Sequence, residues 1–189
     1  MLTEASVWHT LKAGDISSLR YLYDTYADQL YQYGMALIKD SDKVKDSIHD
    51  LFVSIWSGRE RISEPQSWKA YLMSSLRRKL FDKGTMMESL TETTDTISDH
   101  NLFLPDHESK WIEDDDVEKQ NRKLEKAMSR LSARQQEIIH MKYFQQLEYE
   151  EIGKIMDLNY QSARNLVTRA IAALRKEMLG IVMLLLMLK

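Results

Sequence analysis

Apolar residues recur every three or four positions along much of the first 80 residues. This spacing places them on one face of an α-helix, turned towards a core. Three such stripes predict three helices, and Gly58 and Pro65 predict a helix end and a loop between the second and the third. The stripes are Leu19, Leu22, Tyr23, Tyr26, Leu30 and Tyr33; Val44, Ile48, Leu51, Phe52, Ile55 and Trp56; and Trp68, Tyr71, Leu72, Leu76 and Leu80. An all-α fold is therefore expected.

The clearest pattern lies between Glu148 and Arg175, where two helical periods are separated by a short break at residues 157–159. This is the spacing of a helix-turn-helix. Gly153 predicts a close approach of the second helix, and Asn159 is suited to cap that helix. The apolar stripe of the second helix is Ala163, Leu166, Val167, Ala170, Ile171 and Leu174.

The opposite face of this second helix carries the residue types of a DNA-recognition helix. Arg pairs with guanine, Asn or Gln pairs with adenine, and Ser, Thr and further Arg side chains hold phosphates. The residues expected to point outward are Gln161, Ser162, Arg164, Asn165, Thr168 and Arg169. An ordinary antiparallel helix pair with a polar surface is the alternative.

Charge is distributed very unevenly along the chain. Residues 1–83 carry a net charge of +1, residues 84–118 carry −10 and residues 119–178 carry +5, within a total of −3. The middle segment shows no sustained period, which is typical of a linker. We therefore expect two small helical domains, at 1–83 and 119–178, joined by an acidic flexible linker that is either a solvated spacer or a docking segment. Residues 179–189 form an apolar tail.

Composition argues against an enzyme. The chain has no Cys, its five His lack metal-ligand spacing, and no phosphate-binding loop or catalytic triad is recognisable. We expect no catalytic residue, metal, cofactor or small-molecule substrate. The N-terminus lacks the pattern of a secretion signal, and the apolar run 181–188 is too short to cross a bilayer. A cytoplasmic location is expected.

Two further surfaces suggest binding. The second predicted helix carries a charged strip with Lys45, Asp46, His49 and Asp50, which either grips a partner or lies in water. On the third helix, basic residues follow Trp68 and Tyr71, a combination that suits unpaired nucleic acid. A buried aromatic pair beside a solvated basic face is the simpler alternative. The basic residues are Arg77, Arg78, Lys79 and Lys83.

Two segments resemble the bacterial sigma-70 family, extracytoplasmic-function (ECF) group. LSARQQEIIHMKYFQQLEYEEIGKIMDLNYQSARNLVTRAIAALR, residues 131–175, is similar to region four, and VKDSIHDLFVSIW, residues 44–56, is similar to the polymerase-binding helix of region two. QSARNLVTRA resembles sigma factors of Bacteroidetes. The resemblance implies a sigma factor that directs core RNA polymerase to specific promoters under the control of an anti-sigma factor.

The resemblance also implies roles for individual residues. Region two would bind the polymerase through Asp46, His49, Asp50, Phe52 and Trp56, with Asp46 and Asp50 exposed and Phe52 and Trp56 mainly packing. It would capture the minus-ten element through Trp68, Tyr71, Arg77, Arg78, Lys79 and Lys83. Region four would read the minus-thirty-five element through the outward residues of the helix-turn-helix.

Two residues depart from the pattern of the family. Arg78 stands where the family commonly has Asn, and Glu148 stands where Ser or Thr often caps the first helix of the helix-turn-helix. A stand-alone helix-turn-helix regulator and a protein-interaction module are the alternative functions. Three alternatives remain for the apolar run 181–188: packing on the protein itself, autoinhibition, and docking to a membrane-bound anti-sigma partner or to the membrane surface.

Overall fold

The computed structural model describes residues 4–81 and 124–187, and all regular structure in these two ranges is helical. The predicted all-α fold is confirmed, while Lys83 and the predicted linker 84–118 lie outside the described residues. The N-terminal half comprises α1 (Glu4–Lys12), α2 (Ile16–Leu37), α3 (Ser41–Gly58) and α4 (Trp68–Phe81). The C-terminal half comprises helical backbone at 124–128, α5 (Ala133–Ile139), a π-helical turn (His140–Phe144), α6 (Tyr149–Met156) and α7 (Tyr160–Met187).

Aspartates begin two helices of the N-terminal half. The Asp15 carboxylate accepts from the backbone N–H of Ser17 at 2.9 Å, and Asp40 accepts from that of Lys43 at 3.0 Å. Each satisfies an amide that the first turn of a helix leaves without a partner. Hydrogen bonds from the Ser17 side chain and backbone lower the pKa of Asp15.

The predicted stripes form the N-terminal core, with one exception. Leu22, Leu30 and Tyr33 on α2 are buried, as are most stripe residues of α3 and α4. The spacing predicts a core position for Tyr23, but this residue is 50% exposed and its ring meets that of Phe52 edge to face, at 5.1 Å between centroids. It lies at the border of the buried stripe, where the curved surface of the helix returns to solvent.

The two halves pack against each other. Helix α4 lies against α6, and α2 lies against α5 and the π-helical turn. Helix α7 continues without interruption to Met187, so the backbone of the apolar run is helical as far as that residue. The side chains on which its three alternatives depend lie outside the described residues. No helix in the described part of the chain is long and apolar enough to span a membrane.

Candidate nucleic-acid interface

The helix-turn-helix forms where the sequence predicts it. Helix α6 ends at Met156, and Asp157 adopts a left-handed conformation with φ of 54°. The backbone N–H of Leu158 then donates to the carbonyl of Gly153 at 2.8 Å, which closes the turn. A Cβ atom on Gly153 would lie 2.6 Å from the Leu158 carbonyl oxygen. The predicted close approach is real, but the turn backbone makes it rather than the second helix.

Both helices of this motif are capped. The Asn159 side chain accepts from the backbone N–H of Ser162 at 2.7 Å, so the predicted cap of α7 is confirmed. At the start of α6 the Glu151 carboxylate accepts from the backbone N–H of Glu148 at 2.9 Å. The Glu148 side chain in turn accepts from the backbone N–H of Glu151, which completes a capping box. Glu148 thus fills the position where Ser or Thr is common in the family.

The outward face of α7 is accessible to a ligand. Ala163, Leu166, Val167 and Ala170 are buried, while Ile171 and Leu174 are half-buried. Of the six predicted DNA-binding residues, Ser162 is half-buried and the other five are exposed.

Few internal contacts occupy the polar groups of this face. The Gln161 amide donates to the Asn165 side chain at 3.1 Å, and the Thr168 hydroxyl donates to the Arg164 carbonyl at 3.0 Å. Within residues 4–81 and 124–187, no carboxylate pairs with the guanidinium of Arg164 or Arg169. Both cations are available to an external anion.

Helix α3 presents its charged strip to solvent. Asp46, His49 and Asp50 are exposed, whereas Phe52 is buried in the core. Trp56 is half-buried, and the Arg59 guanidinium lies 4.6 Å above its ring. The exposed residues can meet a partner directly, and the aromatic residues position the helix.

Helix α4 is less accessible. Trp68 is only 2% exposed, and its ring meets half-buried Tyr71 edge to face at 5.9 Å. The Trp68 ring is therefore not available in this conformation for stacking on a base. Arg78 is exposed and Lys79 is half-buried. The predicted minus-ten residues therefore do not form one continuous open surface here.

Arg77 has a partner from the other half of the chain. Its Nε donates to Oε1 of Glu137 on α5 at 2.8 Å, and the hydroxyl of Tyr33 on α2 donates to the same oxygen at 2.9 Å. Burial, followed by the charge of Glu137 and the hydrogen bond to it, raises the pKa of Tyr33 well above its usual value. Although partial burial opposes it, Glu137 also raises the pKa of Arg77. Both donors therefore remain protonated.

A second polar group of contacts lies beside the first. Lys69 Nζ donates to the Gln145 carbonyl at 2.6 Å, and its pKa is lowered by burial although Glu151 opposes the shift. The His140 ring stacks at 6.1 Å from Tyr33 and 5.4 Å from Phe144. Burial, and then the charge of Lys69, lower the pKa of His140 to about 4. The imidazole is therefore neutral at pH 7.

Sequence reasoning missed Glu137 entirely. It lies 104 residues from Tyr33 and 60 from Arg77, so no local spacing links the three. The described residues contain no group of three or more His, Cys, Asp or Glu side chains that could hold a metal ion. The candidate binding surfaces of the described residues are therefore the exposed faces of α3 and α7, and the main polar contacts between the two halves are those of Glu137 and Lys69.

Comparison with known proteins defines the class of the helix-turn-helix. Residues 121–174 match the family described as sigma-70, region 4. Among curated proteins, the chain is 22% identical over 169 residues to the ECF RNA polymerase sigma factor SigX of Bacillus subtilis, covering 85% of this chain and 84% of that protein. The C-terminal half is therefore similar to sigma-70 region 4.

Solved structures share the fold. CnrH, solved in complex with the cytosolic domain of CnrY, matches with a TM-score of 0.62 and 14% identity over 90% of this chain and 93% of its own. RpoE, solved in complex with the anti-sigma factor NepR from Bartonella quintana, matches with a TM-score of 0.60 and 18% identity over 84% and 94%. The family match and the relative together support an ECF sigma factor, and the solved structures share its fold.

Proposed function

We propose that this chain joins core RNA polymerase and directs it to promoters through two DNA contacts, one on α7 and one on α4. The observation that carries the proposal is the open face of α7 within the region 4 match. A capped helix with exposed Arg164, Asn165 and Arg169 is suited to the major groove of the minus-thirty-five element. Residues 119–178 form the domain proposed for this contact.

Helix α3 is the proposed polymerase-binding element, within a first domain of residues 1–83. Asp46, His49 and Asp50 supply the exposed contact, while Phe52 and Trp56 hold the helix on the core. Exposed acidic groups on a rigid helix favour a basic partner and steer its approach.

Helix α4 is the proposed minus-ten element. Arg77, Arg78 and Lys79 provide positive charge for the DNA backbone, with Lys83 beyond the described residues. Arg78 retains a charge where the family commonly has a base-reading Asn. Since Trp68 is buried and Tyr71 half-buried, stacking on a base requires α4 to become more exposed than it is here.

The proposal also includes control of this chain by an anti-sigma factor. It further assigns the chain to the cytoplasm and to sigma factors like those of Bacteroidetes. The two solved structures described above each contain a second protein, and the one bound to RpoE is named an anti-sigma factor. The acidic linker 84–118 is proposed to thread towards the polymerase active centre, where its charge imitates a nucleic-acid backbone.

The test is transcription by core polymerase from fragmented genomic DNA of the source organism, with and without this chain. We expect chain-dependent transcripts whose start sites share two short upstream elements. If the chain alone binds duplex DNA but adds no start sites, it is a stand-alone regulator and the proposal is wrong.

A matched pair of charge reversals tests the polymerase contact. Asp46→Lys with Asp50→Lys should abolish co-purification with core polymerase, because both side chains are exposed and can meet the partner directly. Glu60→Lys with Glu64→Lys makes the same charge change at exposed positions beyond α3 and should not affect it. Normal yield with the first pair, at unchanged helical content, would show that the strip is only solvated.

A further inference from the structure

Glu137 is an unusual residue at the junction of the two halves. Its side chain is 7% exposed, and a carboxylate so deeply buried is stable only when charge and hydrogen bonds compensate for the lost water. Both compensating donors come from the other half, from Tyr33 on α2 and Arg77 on α4. One carboxylate oxygen therefore connects three helices.

We propose that the Tyr33–Glu137–Arg77 cluster is a clasp that holds the free chain closed and withholds α4 from DNA until the clasp opens. Since the Arg77 guanidinium is occupied by Glu137, the same group cannot pair with a phosphate through those contacts. Helix α6 also lies against α4. The masking of a DNA-contacting helix rests on the proposed function, but the clasp itself does not.

The chemistry of the junction makes it both specific and reversible. A shift in register would leave Glu137 buried without its donors, which is strongly unfavourable. Its neighbouring contacts across the junction are also polar: Lys69 donates to the Gln145 carbonyl, and Lys154 donates to Gln66. When the halves separate, water can hydrate all these groups. Opening therefore costs less than parting an equally large apolar surface.

The closed form leaves the other DNA contact available. Arg164, Asn165 and Arg169 on α7 remain exposed, while on α4 Trp68 is buried and Arg77 is paired with Glu137. The clasp therefore acts on the proposed minus-ten contact and spares the proposed minus-thirty-five contact. Any partner that competes for Arg77 or separates α4 from α6 would favour the open form.

Energy transfer within the free chain tests the clasp without polymerase. Because the chain has no Cys, Asp28→Cys on α2 and Arg175→Cys on α7 provide two specific labelling positions, both exposed. We expect one narrow transfer-efficiency distribution in the parent chain. Glu137→Gln and Arg77→Gln should add a lower-efficiency population, and Tyr33→Phe, which removes one hydroxyl, should produce a smaller shift in the same direction.

The matched control is Glu177→Gln. Glu177 pairs with Arg130, so it forms the same type of ion pair within one half, and its substitution should leave the distribution unchanged. Circular dichroism verifies helical content, and Tyr33→Phe decides the question if Glu137→Gln does not fold. An unchanged distribution in all three folded clasp variants, or an equal shift in Glu177→Gln, would overturn the clasp.

Binding of an oligothymidine strand to the free chain separates the clasp from the proposed function. If α4 contacts DNA, Glu137→Gln should bind this strand several-fold more tightly than the parent, and the added Arg77→Gln change should remove the gain. Opening detected by energy transfer without any gain in binding supports the clasp and contradicts the DNA role of α4.

Discussion

Helices α4 and α7 are both proposed to contact DNA, yet they differ in how far their side chains are exposed and paired within the protein. On α7, Arg164 and Arg169 are exposed and lack carboxylate partners within the described ranges. On α4, Trp68 is buried and Arg77 pairs with Glu137 of the opposite half. The same residue types can therefore form an open binding face or part of an internal junction, depending on what packs against them.

A basic helix with aromatic residues therefore does not by itself define an accessible nucleic-acid surface. The charge on α7 can meet phosphates directly, whereas that on Arg77 must first lose an internal carboxylate. The proposed recognition helix α7 is preorganised, while α4, the proposed minus-ten helix, is proposed to need a change in the arrangement of the halves before it can bind.

The largest effect is expected on α7 itself. Replacing Arg164, Asn165 and Arg169 together with Ala should weaken promoter-duplex binding by on the order of 1–3 kcal/mol for each base-reading position. Gel-shift titration at several salt concentrations measures the loss. Arg175→Ala with Lys176→Ala removes two exposed charges further along the same helix and should have a smaller effect. Equal losses in the two variants would mean that only overall charge matters.

The junction that covers α4 should weaken in acid. His140 has a pKa of about 4 in the folded chain, whereas an unfolded histidine titrates near 6.5. Between these values the unfolded chain binds the extra proton, so stability is retained above pH 6.5 and falls as the pH drops towards 4. His140 alone should lower the free energy of unfolding by about 2 kcal/mol from pH 7 to pH 5.

Urea denaturation at the two pH values measures this effect. His140→Gln should reduce the pH dependence of the free energy of unfolding by that amount. The acidic groups are the same in both proteins, so their contribution to the pH dependence should not change. The same pH dependence in the parent and the variant would contradict a buried neutral imidazole at the junction.

Gly153 lies near the end of α6, the helix that packs against α4 and precedes α7. Gly153→Ala places a Cβ atom 2.6 Å from the Leu158 carbonyl oxygen, so the turn must shift. We expect a stability loss of about 1–3 kcal/mol, as for other overpacked sites, visible as a lower Tm. Gly58→Ala is the control, because nothing lies within 4 Å of its added Cβ. Similar Tm values for the two variants would contradict this account of the turn.

Local patterns in the sequence predicted the helix-turn-helix well. The period of three and four identified the buried positions of α7, and Asn159 marked its start. Helix α1 escaped prediction because its buried pair, Val7 and Leu11, is too short to form a stripe. The exposure of Tyr23 also escaped, since periodicity identifies a helix face more precisely than it identifies the border of that face.

The junction could not be predicted in the same way. The sequence predicts Arg77 as a DNA-binding cation, but its partner in the structure is Glu137, which is 60 residues away and meets it only because of how the halves pack. Glu137 directly precedes Ile138 and Ile139 in the sequence. A single acidic residue before two apolar ones is as common at a helix surface as in a core, so this sequence does not predict that the carboxylate is buried. Helix periodicity is local, whereas burial at a junction is a property of the whole fold.

Permanganate and nuclease footprinting of holoenzyme on one promoter can separate the two proposed contacts, of α7 with duplex DNA and of α4 with unpaired DNA. Arg77→Ala with Arg78→Ala and Lys79→Ala should retain protection of the upstream element and lose the reactive, unpaired thymines near the start site. Arg164→Ala with Arg169→Ala should lose the upstream protection. Retention of both signals, or an identical loss in the two variants, would contradict the division of labour between the two helices.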